Sequence, residues 1–238
     1  QKYSCHVKSF AANSTGHHIE YMQDDQTFTV SAKLLIGADG GCSMIRRRTF
    51  PKSHNPRYIA IQEWYEVDQS MPYFTAVFDQ SITDYYSWII PKDNCLLIGA
   101  ALHPGEQSVK KFELLKKKLQ DYGFSFDRLV KREGAFIARP LSVSHLQLGA
   151  ENLALVGEAA GAISPSSAEG MSYGLKSAVC LAQSLEPGIE GYLPRYAAKM
   201  RGLESNIMFK NLKSPGMYNP TLRNLVMRTG VMSMDVQT

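Results

Sequence analysis

The 238-residue sequence contains no Gly-x-Gly-x-x-Gly sextet, the turn that carries a strand into a helix around the pyrophosphate of a dinucleotide. It has no apolar run of membrane-spanning length and no secretory leader pattern, so the expected location is the cytoplasm. Its four cysteines, Cys5, Cys42, Cys95 and Cys180, form no Cys-x-x-Cys pair. That spacing argues against a zinc or disulfide framework and for reduced thiols. His17-His18-Ile19-Glu20 lacks metalloprotease spacing and falls in an expected surface hairpin, so no metal site is expected. Excess charge is scarce as well, with a formal net of +4. The clusters Arg46-Arg47-Arg48, Lys110-Lys111 and Lys116-Lys117-Lys118 read as solvated faces, and no nucleic-acid partner is expected.

What is present is enough core for one large domain or two small ones, at 44% hydrophobic residues. Residues 3–10, 19–22 and 27–30 alternate like strands, with turns at Asn13-Ser14-Thr15-Gly16 and Asp24-Asp25. Leu34-Leu35-Ile36 reads as a short buried strand, and Ser43 can start a helix. Strands are expected over 60–67, 74–78, 85–90 and 95–101, the last two joined at Asp93-Asn94. The period then becomes helical, with Val109, Phe112, Leu115, Leu119 and Tyr122 on one face. Strands at 135–138 and 153–156 follow. A helix is expected over 169–185, with Met171, Leu175, Ala178, Ala182 and Leu185 inward. The tail from Tyr192 reads as helix broken at Pro215 and Pro220.

Two motifs carry the chemistry. The first runs Gly37-Ala38-Asp39-Gly40-Gly41-Cys42-Ser43-Met44-Ile45-Arg46. Small residues at a strand end let the backbone approach a phosphate or ribose. Asp39 can accept hydrogen bonds from hydroxyls or amides, and Arg46 can fix the loop or serve as a counter-ion to phosphate or to Asp39. The second runs Gly157-Glu158-Ala159-Ala160-Gly161, then Ser164-Pro165 and Glu169-Gly170-Met171. Glu158 offers a carboxylate to ribityl hydroxyls, and Ala159 and Ala160 keep a cofactor's path free of bulk. Glu169, Gly170 and Met171 begin a helix whose amide end suits an anion, such as the N1/O2 side of reduced flavin. Without a cofactor, the first motif is a tight turn after a strand and the second a plain strand-loop-helix.

Together these motifs resemble the geranylgeranyl reductase family of FAD-dependent oxidoreductases, within the p-hydroxybenzoate-hydroxylase-like flavoproteins, and within it the CbrA-like branch. Tyr86-Ser87-Trp88-Ile89-Ile90-Pro91-Lys92 is similar to the family's Tyr-x-Trp-x-Phe-Pro substrate motif. Three departures stand out: Glu158 replaces Asp, Ala168 replaces the first glycine of Gly-Glu-Gly, and Ile90 replaces Phe. The last moves the motif toward the Trp-x-Trp-x-Ile-Pro of flavin-dependent halogenases.

The resemblance implies an α/β chain, α+β in the part present. It would hold a partial FAD-binding Rossmann-like domain, an inserted antiparallel β-sheet substrate domain and C-terminal helices. The expected parts are 1–50 and 141–190 for the cofactor domain, 51–140 for the substrate sheet and 191–238 for the helical region. It also implies FAD in the intact protein, bound weakly or not at all by these residues alone, which would then be inactive. The cofactor contacts would be Asp39, Gly40, Arg46, Gly157, Glu158, Ala159, Ala160, Glu169, Gly170 and Met171. Tyr86, Trp88 and Ile90 alternate with the strand period, so they share one face. With Pro91 they would line a tunnel for an isoprenoid or other lipid-like substrate reduced at its double bonds. The electron donor would be NAD(P)H or ferredoxin; no catalytic proton donor is identified. A monooxygenase or halogenase-like enzyme, or a flavin- or lipid-binding module without turnover, are the alternatives. The methionines Met200, Met208, Met217, Met227, Met232 and Met234, interleaved with Arg and Lys, suit an apolar channel or peripheral contact with anionic lipid, or an interdomain helix cluster.

Overall fold

The computed structural model describes residues 1–53, 55–68 and 71–229; Met232 and Met234 lie outside the described residues. In chain order the first elements are β1 (Cys5–Asn13), β2 (Gly16–Gln23), β3 (Gln26–Ala32), β4 (Leu35–Gly37) and α1 (Met44–Thr49). Next come β5 (Arg57–Glu66), β6 (Thr75–Val77), β7 (Ser87–Lys92), β8 (Cys95–Leu102), α2 (Ser108–Asp121) and β9 (Arg128–Ala138). The last are β10 (Gly149–Ala150), β11 (Leu153–Leu155), α3 (Met171–Leu185), α4 (Tyr192–Tyr218) and α5 (Pro220–Thr229). They fall into two compact units. The first takes Gln1–His54, Ser142–Ser164 and Glu169–Met208; the second takes Asn55–Leu141, Pro165–Ala168 and Phe209–Thr238.

In the first unit β1, β2 and β3 pair antiparallel in that order, and Asn13 Oδ1 shapes the first turn by accepting the Thr15 N–H at 2.9 Å. His17 is not a surface residue: it is buried edge-on to Phe10, 6.1 Å between ring centroids. A second sheet has the order β10-β11-β4, in which β11 and β4 are parallel. Helix α4 fixes this sheet from one side. The Tyr192 hydroxyl donates to the Ala150 and Leu153 carbonyls, each at 2.7 Å, and the Tyr196 hydroxyl to the Leu155 carbonyl at 2.9 Å. Burial pushes the Tyr192 phenol up to about 12, so it remains a donor at neutral pH. Met200 and Met208 pack in the same core as these tyrosines, which removes them from any lipid-facing channel.

Three expectations about helices and strands are corrected. Helix α3 buries Tyr173, Ser177, Leu181 and Ser184, while Met171, Leu175, Ala178 and Ala182 are exposed. The small hydroxyl-bearing face wins because it packs closely on the residue 157 turn. Ile36, expected to be buried, is also exposed. Pro215 does not break α4, which runs on to Tyr218 and ends before Pro220, the first residue of α5. One residue before the proline, the Ser214 hydroxyl bonds the Lys210 carbonyl at 2.8 Å.

The second unit is a five-stranded antiparallel sheet of order β6-β7-β8-β5-β9. Alternation along β5 divides its faces. Ile61 and Tyr65 join Ile89, Leu96, Ile98 and the α2 residues Phe112, Leu115 and Leu119 in one core. Val109 and Tyr122, expected on that stripe, are exposed at its ends. Among these apolar residues lies Glu63, whose side chain is fully buried. It pairs with Lys116 at 3.0 Å and with Arg132, and accepts from the Tyr65 hydroxyl. Burial raises the Glu63 pKa, but bonds from Tyr65, Lys116 and Arg132 bring it below the usual carboxylate value. Lys118 pairs with Asp79 at 2.6 Å, so two of the three lysines, Lys116 and Lys118, are engaged in ion pairs, while Lys117 is exposed. No helix among the described residues is long and apolar enough to cross a membrane.

Candidate functional site

The parallel pairing of β4 with β11 sets Leu35 opposite Leu153 and Gly37 opposite Leu155. The Val156 N–H then donates to the Gly37 carbonyl at 3.0 Å. Both motifs therefore leave the same end of one sheet, although Asp39 and Gly157 are 118 residues apart (157 − 39 = 118). Gly37 leaves room for its neighbour: a Cβ would stand 2.6 Å from Leu155 Cδ2, and that buried side chain would have to shift. Gly157 takes φ +60, its N–H donates to Ser177 Oγ at 2.8 Å, and a Cβ would come 3.5 Å from Gly174 Cα.

At these strand ends Ala38 and Asp39 are exposed, and Gly40, Gly157 and Glu158 are half-buried. Asp39 Oδ2 accepts the Met44 N–H at 2.7 Å and the Ile45 N–H at 3.2 Å, and Ser43 Oγ accepts the Arg46 N–H at 2.9 Å. The carboxylate thus caps α1. Gly40 has φ +70 and open space where a side chain would stand.

Other predicted contacts are placed differently. Arg46 is only 6% exposed. Its guanidinium donates to the Ala159 carbonyl at 3.1 Å, the His145 carbonyl at 2.6 Å and Ser53 Oγ at 2.8 Å. It braces the residue 157 turn from within, and burial lowers its pKa to about 10 without discharging it at neutral pH. Ala159 and Ala160 are 0% exposed, packed with Ile45, Leu153 and Leu155. Their small size answers to that core. Glu169 accepts the Ser172 N–H at 2.7 Å and the Ser172 hydroxyl at 2.8 Å, so a carboxylate of the chain already occupies part of the α3 amide end. Gly170 is the residue before the first turn of α3, and Met171 is exposed.

In the second unit Tyr86, Trp88 and Ile90 do lie on one face, opposite the α2 side. Trp88 is paired with Gly99, and its indole covers the space where a Gly99 side chain would stand. Across the sheet, Trp88 Nε1 donates to Gln62 Oε1 at 2.8 Å, Gln62 Nε2 to Glu133 Oε2 at 3.4 Å, and Trp64 Nε1 to Glu133 Oε2 at 2.8 Å. Gln62 and Glu133 were missed by sequence reasoning; the alternation Ala60, Gln62, Trp64 in β5 is the signal for them. Trp88 is only 9% exposed, so most of its ring is packing and only its rim can form a wall. Ile90 and Pro91 are half-buried.

A further cluster was not foreseen. Buried Arg139 lies among the rings of Tyr85, Tyr218 and Tyr58, at 4.3, 4.9 and 5.6 Å from their centroids. It donates to the Tyr58 hydroxyl at 3.0 Å, and Tyr58 donates to Asp84, which pairs with His103 at 2.8 Å. Burial raises the phenols of Tyr58, Tyr85, Tyr86 and Tyr218, so all four keep their protons at neutral pH.

No protein-family model matches the chain. Protein CbrA of Escherichia coli O6:H1 is 36% identical to it over 214 residues, covering 90% of this chain and 58% of that protein. The chain thus spans less than two thirds of the length of that curated relative. A geranylgeranyl bacteriochlorophyll reductase-like protein from Thermoplasma acidophilum is similar in structure, with TM-score 0.68 at 16% identity over 94% of this chain and 69% of that one. CmlS, a flavin-dependent halogenase, has TM-score 0.58 at 15% identity over 90% of this chain and 40% of that one. The chain is therefore a mixed α+β structure with the fold of FAD-binding oxidoreductases.

Proposed function

We propose that the protein is an FAD-dependent oxidoreductase that saturates carbon–carbon double bonds of an isoprenoid or similar lipid chain, on the branch to which Protein CbrA belongs. The carrying observation is the parallel β4–β11 pair, which brings two motifs distant in sequence to one sheet end. The residues fit the flavin half of the cofactor. Gly40 and Gly157 leave backbone approachable, and Asp39 and Glu158 are the accessible carboxylates for ribityl hydroxyls. Gly170 and Met171 complete the set, with Arg46, Ala159 and Ala160 supporting it from behind. Bound and reduced, FAD would supply hydride, its electrons coming from NAD(P)H or ferredoxin. This chain's part is to bind and orient, with the rims of Tyr86, Trp88 and Ile90 and the ring of Pro91 as an apolar wall. We take 1–50 and 141–190 as cofactor domain, 51–140 as substrate domain and 191–238 as the helical region.

The test uses the full-length protein, reduced without oxygen and given a polyprenyl substrate. Saturated product is expected. Product formed only with oxygen overturns the reductase and favours the second reading, a monooxygenase or halogenase-like enzyme, for which Ile90 before Pro91 and the likeness to CmlS speak. A yellow protein whose flavin no unsaturated acceptor or oxygen-dependent substrate reoxidises would be a binding module.

A further inference from the structure

Pro165–Ala168 is a four-residue return of the chain into the second unit, and three successive carbonyls in it are bonded by three side chains from different places. Arg139 Nε donates to the Pro165 carbonyl at 3.2 Å, the Tyr218 hydroxyl to that of Ser166, and the Tyr86 hydroxyl to that of Ser167 at 2.6 Å. Arg139 follows β9, Tyr218 ends α4 and Tyr86 precedes β7. The next residue, Ala168, is held at φ +53, a left-handed conformation that a side-chain-bearing residue avoids unless its surroundings dictate it. Two residues on, Gly170 leads into the first turn of α3.

This is more restraint than a connecting loop requires. A buried guanidinium is expensive to desolvate. Among the described residues Arg139 has no carboxylate within ion-pair distance; it meets a phenol, a backbone carbonyl and three aromatic faces instead. The Tyr86 and Tyr218 rings already pack on the aromatic face, with centroids 5.6 Å from Trp88 and 5.2 Å from Tyr85, so their hydroxyls are not needed to bury them. Each donor therefore acts chiefly on the path of the backbone.

We propose that Arg139, Tyr86 and Tyr218 are positioning residues that clasp Pro165–Ala168 and so fix how the chain enters α3 at Glu169, Gly170 and Met171. This rests on the reading of those three residues as flavin contacts. It gives Tyr86 a task beyond lining a substrate wall: its hydroxyl is committed to the Ser167 carbonyl. The clasp acts on the cofactor through the loop, by holding the backbone in the one conformation that presents the start of α3 correctly.

The experiment uses the full-length protein with Tyr86→Phe, Tyr218→Phe, the double variant and Arg139→Lys. The tyrosine changes keep every ring and remove only a donor, so they stay informative if Arg139→Lys fails to fold. Flavin affinity, flavin midpoint potential and amide exchange over residues 169–173 are read beside the urea midpoint. The double variant is expected to weaken flavin at least tenfold, to shift its potential and to speed exchange at the start of α3. Arg139→Lys is expected to move the same readouts in the same direction. A lowered urea midpoint with unchanged affinity, potential and exchange overturns the clasp and leaves the flavin reading standing. A full-length wild-type protein that binds no flavin overturns both.

Discussion

Replacing Arg46 with Met is the most direct test of how the two motifs are held together. Its guanidinium serves three acceptors, the carbonyls of Ala159 and His145 and the Ser53 hydroxyl. A hydrogen bond from a charged donor is worth about 1.5–3 kcal/mol net. Against this stands burial, which lowers the pKa from 12.5 to about 10; at about 1.4 kcal/mol per unit that offsets roughly 3 kcal/mol. The balance predicts that Arg46→Met destabilises the protein by about 3 kcal/mol at pH 7. For an m-value of about 3 kcal/mol/M, the urea midpoint falls by about 1 M with m unchanged. Arg46→Lys keeps the charge, but one ammonium cannot span three acceptors, so it should lose more than half as much. Arg47→Met is the control: that side chain is exposed, and its loss should stay below about 0.5 kcal/mol. If Arg46→Met lies within 1 kcal/mol of wild type, or Arg47→Met matches it, the brace is not what holds the turn.

Glu63→Gln should cost about 2–3 kcal/mol at pH 7, discounted because Arg132 is half exposed and can turn to water. The Glu63 carboxyl lies below its unfolded value of 4.5, so its contribution is present above pH 4.5 and lost as pH falls through the folded value. Urea melts across that acid window should be flatter for the variant; an identical acid slope refutes the assignment. Ala168→Gly should stabilise by about 0.5 kcal/mol, the left-handed penalty of roughly 1–2 kcal/mol exceeding the extra backbone entropy of roughly 0.5–1 kcal/mol. Thermal unfolding checks the sign. Gly99→Val should destabilise by about 2–3 kcal/mol by driving into the Trp88 indole. With only Trp64 and Trp88 in the chain, a changed emission maximum reports it, and unaltered fluorescence and stability would refute that packing.

Much of the layout was legible wherever a local rule had one solution. The meander, the Asp93-Asn94 hairpin and the Ser43 helix start each rest on a turn or cap residue that few other conformations accept, and all three form. Reading failed where two solutions had similar apolar periods. In α3 the Met171, Leu175 stripe is as regular as the Tyr173, Ser177, Leu181 stripe, and only the close approach at Gly157 selects the latter. In β9 the run of Arg128, Lys131 and Arg132 hid a strand that begins seven residues before the expected Ala135, because Arg128 and Arg132 pair with Glu66, Asp68 and Glu63 and Lys131 pairs with Glu133. For the candidate site, the motifs located the loops but not the directions of their side chains. Asp39 caps the helix that follows it, whereas Arg46 braces and Ala159 and Ala160 fill core because each of these answers to a neighbour distant in sequence. The Arg139 cluster was invisible for the same reason: Tyr58, Tyr85 and Tyr218 share no spacing that announces them.

The three-residue pairing of β4 with β11 also has a consequence for folding order. Gly37 and Leu155 are 118 residues apart (155 − 37 = 118), and closing so long a loop of flexible chain costs about 4 kcal/mol in entropy before any constant term. Pairs between strands of three residues return little of that alone. If the antiparallel sheet of 57–138 forms first, its hairpins shorten the effective loop and the closure becomes affordable. The end of the sheet that carries both motifs would then be among the last parts to assemble, and substitutions in β4 should speed unfolding while leaving the folding rate nearly unchanged.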